Sequence, residues 1–171
     1  MPRKPLALIA TAALATGALA LAGCGSDDEG SDGPKDFTLV QEKPEITEAD
    51  NGARGTTKGD QFHFEARMND EDGEAAGIVL GELTVTGLPG RFGRPKGLQI
   101  NRSELIFRLD GGDIMALGLS EYARAGWKLT ADEPATRAII GGTGDYAGAR
   151  GELVTTRKSD GTYEQEFEFS D

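Results

Sequence analysis

The chain has 171 residues, 18 of them basic and 29 acidic, for a net charge of −11. That acid excess argues against nucleic acid or an anionic lipid surface as a partner. A single cysteine excludes an internal disulfide, and 25 glycines with little helical periodicity favour many short strands.

At the N-terminus, Arg3 and Lys4 precede an apolar stretch over 6–19. At about 14 residues it falls short of the roughly 20 that span a bilayer as a helix. Small residues and then acid follow, which is the pattern of a secretory signal. Leu21-Ala22-Gly23-Cys24 resembles the lipobox of bacterial lipoproteins. The resemblance implies a signal peptide over 1–23, cleaved before Cys24, and a diacylglycerol on the Cys24 sulfur. Two acyl chains such as palmitate are enough for stable anchoring. The mature chain is then a lipid-anchored protein on the cell membrane, facing outside the cytoplasm. Loss of Arg3 and Lys4 leaves 16 basic residues against 29 acidic, a net of −13. Residues 24–36 are acidic and Gly/Ser-rich, and are expected to be a disordered linker.

Residues 37–171 read as one domain. Eight strands are predicted, at 37–43, 60–68, 77–86, 98–109, 113–121, 135–140, 149–158 and 162–169. The last puts Tyr163, Gln165, Phe167 and Phe169 on one face and Glu164, Glu166 and Glu168 on the other. The second puts Phe62, Phe64, Ala66 and Met68 opposite His63, Glu65 and Arg67. The third is apolar on both faces, as a central strand or one covered by another subunit would be. Asp160-Gly161 predicts a type I′ hairpin, and Asp110-Gly111 and Asp72-Gly73 mark further turns. Hairpin after hairpin predicts an all-β, eight-stranded antiparallel closed β-barrel, whose closure removes exposed edges. Residues 44–58 are expected to form a mobile loop at the barrel mouth. Residues 121–134, with Tyr122 and Trp127, are expected to fold over the barrel or pack on a neighbour.

The segment Ile140-Gly141-Gly142-Thr143-Gly144-Asp145-Tyr146-Ala147-Gly148-Ala149-Arg150-Gly151 resembles the signature of the allene oxide cyclase and dirigent superfamily. Gly59-Asp60 before the second strand, Asp110-Gly111-Gly112-Asp113 and Asp160-Gly161-Thr162-Tyr163 resemble other parts of it in order. The glycines fit positive φ and close backbone approach, with Tyr146 turning inward to plug the barrel end. A phosphate loop is a poor fit, because no Lys-Ser/Thr follows and the next element is a strand.

The resemblance implies a barrel that is often trimeric, needs no metal and no organic cofactor, and shapes an apolar cavity. It also implies an acidic residue late in the first strand. Glu42 is the candidate, with Gln41 and Glu45 as alternatives, and no aspartate of the dirigent kind stands in 37–43. Phe62, Phe64, Asn101, Phe107, Tyr146 and Phe167 are the candidate lining of a ligand cavity. His63 is the one histidine and falls on the polar face, so neither a histidine triad nor a zinc site is supported. Two functions follow. In the first, the exported lipoprotein binds a small apolar molecule or serves a structural role without catalysis. In the alternative, it is a cofactor-independent isomerase or cyclase of an apolar metabolite, a reading by fold analogy.

Overall fold

Period-two alternation becomes nine strands in the computed structural model, which describes residues 33–93, 96–123 and 128–170. The signal segment, Cys24 and Trp127 lie outside the described residues. The strands are β1 (Phe37–Gln41), β2 (Glu45–Ala49), β3 (Gln61–Asn69), β4 (Ala75–Gly87), β5 (Leu98–Leu109), β6 (Gly112–Ala123), β7 (Pro134–Gly142), β8 (Gly151–Arg157) and β9 (Tyr163–Phe169). All nine are paired antiparallel in one sheet, in the order β1-β9-β8-β7-β6-β5-β4-β3-β2. β1 pairs with β9 along its length and with β3 at Val40 and Gln41, so the sheet closes on itself.

The barrel counts eight strands because β1 and β2 form one broken strand. Gln41 lies opposite Met68 and Glu45 opposite Glu65, so three residues face two. This is a one-residue bulge holding Pro44, where the ladder needs no N–H. The expectation of a loop throughout 44–58 is therefore corrected at 45–49. That strand was hidden because it is short and mostly polar. Its far edge has no partner among the described residues, and Glu45 and Glu48 disfavour the recruitment of another strand there.

Inward-facing residues form two apolar clusters, one at each end. Leu39, Met68, Val79, Phe107, Leu153 and Phe167 are central to the first. Phe62, Leu83, Val85, Tyr122, Leu129 and Tyr163 make the second. Leu129 brings part of the 121–134 segment over the second end. The third predicted strand, β4, lies between β3 and β5, and its outer residues Ile78 and Leu80 stay 38% exposed in the single chain. Leu80, Ile106 and Met115 sit in register across three strands of that outer face.

The turns differ in detail from expectation. Of Asp160 and Gly161, Gly161 alone has positive φ, so the turn is not type I′. Three residues separate Lys158 and Thr162, whose backbones bond, and Gly161 N–H donates to Lys158 O. This is a type I turn closed by a left-handed glycine. The glycine motif combines close approach with positive φ, the latter at Gly144, Gly148 and Gly151. Gly144 has φ +60°, whereas Gly141 and Gly142 do not enter that region. A single 3-10 turn (Gly144–Tyr146) docks on the β5–β6 hairpin, with Asp145 N–H on Gly111 O at 2.9 Å and Thr143 N–H on Asp113 O at 2.8 Å. Side chains on Gly112 or Gly144 would run into the facing backbone oxygens of Thr143 and Gly111.

Candidate functional site

The motif end of the barrel is dry and filled by aromatics. Phe107 meets Phe167 edge-on at 4.9 Å, and Phe37 stacks on Phe167 at 4.6 Å. Tyr146 stacks on Phe169 at 6.4 Å and, half-buried, packs against this cluster. Burial, then the nearby charges of Asp145 and Asp110, push the Tyr146 hydroxyl pKa up.

The other half of the lumen sets buried polar groups among the second apolar cluster. Here alternation on β7 sends Arg137 inward beside Ile139, and its guanidinium residue is only 3% exposed. Nη1 donates to Thr155 Oγ1 at 2.8 Å and, at 3.4 Å, to Ala135 O; Nη2 donates to the Tyr122 hydroxyl at 3.0 Å. Nε has no partner. A relay continues from Thr155 Oγ1 to Gln165 Oε1 at 2.7 Å, and from Gln165 Nε2 to Gln41 Oε1 at 2.7 Å. Tyr122 also lies 3.3 Å from Ser103 Oγ. Along β5 and β6, Gln99 Oε1, Asn101 Nδ2 and Ser120 Oγ are buried without partners. Orphaned buried polar atoms are costly, so these groups call for a partner such as water or a ligand.

Of these groups, Gln41, Tyr122, Arg137, Thr155 and Gln165 line a cavity whose apolar wall is Phe64, Leu83, Leu105 and Leu129. The space open to the centre of a water molecule is about 30 Å³. That holds a water or two, well below the roughly 300 Å³ of a small-molecule pocket. Pro44 and Ile46 form part of its wall. This side of the cavity is therefore the bulge and the edge strand β2. A larger concavity, of about 430 Å³, lies on the outer face between Glu45, His63, Glu65, Glu82 and Glu104. Its groups face solvent and are not oriented by a buried network, so the smaller lumenal space is the better candidate.

Among the described residues no carboxylate lines the lumenal cavity. Tyr163 stands in its wall with its hydroxyl pKa raised by burial, against the opposing pull of Arg157 and Arg137. Asp60, the buried acid among the described residues, serves elsewhere. It accepts Thr57 N–H at 2.6 Å, Thr57 Oγ1 at 2.8 Å and Asn51 N–H at 3.2 Å, tying the 50–58 loop to the rim. Burial pushes its carboxyl up, but these hydrogen bonds outweigh burial and hold it below the ordinary range.

The sequence candidates separate. Asn101 faces the lumen, its Oδ1 taking Gln99 Nε2 at 3.0 Å. Phe64 lines the cavity, Phe62 packs behind it, and Phe107 and Phe167 fill the dry end. Glu42 sits in the bulge, exposed, and accepts Asn69 Nδ2 at 3.2 Å on the outside. Glu45 and His63 line the outer concavity. Of the three positions weighed late in the first strand, Gln41 is the one that reaches the lumenal cavity. Sequence reasoning missed Arg137 and Tyr122. The signal was present: on a strand reading Ala-Thr-Arg-Ala-Ile, Arg137 shares a face with Ile139.

No family model matches the chain, and no curated protein sequence matches it. Solved structures do. A pyocyanin demethylase is 25% identical over 79% of this chain and 99% of its own, with a TM-score of 0.63. A nonspecific heme-binding cyclase that catalyses a 4 + 2 cycloaddition in neoabyssomicin biosynthesis is 12% identical, covering 79% of this chain and 63% of its own, with a TM-score of 0.58. An exo-specific intermolecular Diels-Alderase is 15% identical over 78% and 96%, with a TM-score of 0.50. The chain shares the barrel fold of these proteins.

Proposed function

We propose that the barrel is a cofactor-independent cyclase or isomerase that folds a small, largely apolar molecule inside the half of its lumen that holds the buried polar groups. The observation that carries this reading is the buried hydrogen-bonded network of Tyr122, Arg137, Thr155, Gln165 and Gln41 that lines the lumenal cavity, in a barrel whose other end is filled by aromatics. The cyclases among its structural neighbours weigh the same way, toward catalysis and away from a passive role.

Two effects would accelerate the reaction. The curved apolar wall fixes a reactive conformation, which removes entropy from the barrier. Tyr122, whose oxygen is held by Arg137, donates its proton as a hydrogen bond to the substrate oxygen where charge develops, in a site with little water. Entry requires movement of Ile46 and the bulge, since the cavity in the closed barrel admits water alone. The allene oxide cyclase and dirigent resemblance of the glycine motif supports the same class of chemistry.

Export and anchoring through Cys24 complete the reading, supported by the lipobox-like sequence. Substitution of Cys24→Ala is expected to release the chain from the membrane fraction and remove a diacylglyceryl mass.

The test of catalysis uses small-molecule extract of the protein's own host. Incubation with the protein is expected to deplete one metabolite and yield an isomer of identical mass. Tyr122→Phe should slow that conversion by roughly 10²-fold, a typical loss for one such donor. If no mass-neutral conversion occurs and native mass spectrometry finds no bound molecule, the catalytic reading fails.

A further inference from the structure

Arg137 poses a problem of charge that the reading above leaves open. A guanidinium stays protonated in proteins, so burial cannot neutralise it. Buried charges are paired with opposite charges as a rule. Arg137 is not: its partners are a threonine hydroxyl, a tyrosine hydroxyl and a backbone carbonyl, all neutral. Among the described residues no ion pair involves it and the cavity wall contains no Asp or Glu. This is unusual in a chain with 29 acidic residues. The sequence has carboxylates in abundance and puts none here.

The surroundings reinforce the point. Arg157, paired with Tyr163 across β8 and β9, opposes the rise that burial gives that hydroxyl's pKa and has a buried Nε without a partner among the described residues. Two cations therefore act on one lumen wall. Arg137 Nε–H is buried, unbonded and part of the residue lining the cavity. Nη2 donates once, to Tyr122, and has a second hydrogen. An arginine with free N–H groups presents a planar fork suited to a planar oxyanion.

We infer that the lumen takes a ligand bearing one planar oxyanion, a carboxylate or an enolate, on an apolar body, and that Arg137 supplies its counter-charge. The inference rests on the lumen being the binding site and adds the charge of the molecule it takes. Phe64, Leu83 and Leu105 would cover the body while Arg137 and Tyr122 hold the head.

The probes are 4-fluorobenzoate and 4-fluorobenzamide, alike in size and different in charge, followed by fluorine NMR. The unmodified chain is expected to bind the benzoate at least about tenfold more tightly, as one charge-assisted contact predicts. Arg137→Met should abolish that preference and leave benzamide affinity within about twofold. Leu105→Trp, which fills the cavity, should abolish binding of both. Arg137→Lys keeps the charge and should keep part of the preference; it serves if the methionine variant fails to fold.

Equal affinity for the two probes in the unmodified chain overturns the anion inference and leaves the lumenal site standing. A benzoate preference that survives in Arg137→Met, or in Leu105→Trp, also overturns it, because the anion then binds elsewhere. If neither probe binds the unmodified chain, the lumen does not open and both readings fall together.

Discussion

The Phe64 ring occupies the space in which a side chain on Gly81, its cross-strand partner, would begin. The glycine lets the aromatic lie across the neighbouring strand, where it forms one wall of the lumenal cavity. Gly81→Ala is therefore expected to drive the ring away, at a cost of about 1–3 kcal/mol by overpacking. Phe64→Ala is the complementary change. It enlarges the cavity and costs less than the roughly 3–5 kcal/mol of a fully buried phenylalanine, because Phe64 is partly exposed. Urea denaturation measures both. If Gly81→Ala leaves the midpoint and the Phe64 environment unchanged, the glycine has no such role.

Asp60 links pH to the mouth of the barrel. Its folded pKa is depressed, the net result of burial opposed and outweighed by bonds from Thr57 and Asn51. A depressed carboxyl stabilises the fold in full above its unfolded pKa of about 3.9, and that contribution is lost as pH falls through the lower folded value. Stability should drop with acid in this window, and Asp60→Ala should flatten that drop. At neutral pH the substitution should cost about 1.5–3 kcal/mol for the charged bonds. Hydrogen exchange should then quicken at the Thr57 and Asn51 amides, whose protons Asp60 accepts. An unchanged acid limb in Asp60→Ala assigns the pH dependence to other carboxylates.

Alternation made most of this fold legible. Tyr163, Gln165, Phe167 and Phe169 face inward as their spacing requires, as do Phe62 and Ala66 across the barrel. β2 escaped because five residues with one large apolar member give no periodic signal, and its pairing is set by Pro44 and the bulge. The site was legible in part. Asn101 and Phe64 could be read from their face. Glu42 could not, since one extra residue in the bulge changes which side chains of the broken strand point inward. Arg137 was readable as a charge at a core position. What alternation cannot supply is its set of neutral partners, Tyr122 and Thr155, which come from the flanking strands β6 and β8 and are set by register.

The glycine motif makes a sharp stability prediction. Gly144 is left-handed and would, with a side chain, meet Gly111 O; Gly112 stands likewise against Thr143 O. Gly144→Ala incurs both a backbone strain of about 1–3 kcal/mol and a backbone clash. Gly148, also left-handed, has open space around it, so Gly148→Ala incurs strain alone. Thermal unfolding should rank the midpoints as Gly148→Ala above Gly144→Ala. The reverse order would mean that docking of the 3-10 turn on the β5–β6 hairpin contributes little. Since Tyr146 is held by that turn, Gly144→Ala should also loosen its stacking on Phe169, visible as a change in near-ultraviolet circular dichroism.

Gly118 provides the separate test of how Arg137 is held. A Cβ there would fall 2.9 Å from Arg137 Cγ and 3.2 Å from its Cα, so the arginine stem crosses β6 where a side chain is missing. Gly118→Ala keeps the charge and every hydrogen-bonding partner. It moves the stem, and the bonds to Thr155 at 2.8 Å and Tyr122 at 3.0 Å cannot both survive a shift of that kind. The expected result is a loss of about 1–3 kcal/mol in urea together with a reduced preference for 4-fluorobenzoate over 4-fluorobenzamide. Position and charge are thereby distinguished: Arg137→Met removes both, Gly118→Ala disturbs position alone. If the alanine variant is destabilised yet retains the full benzoate preference, the anion reads the presence of the guanidinium and not its aim. The planar fork then has no part in recognition.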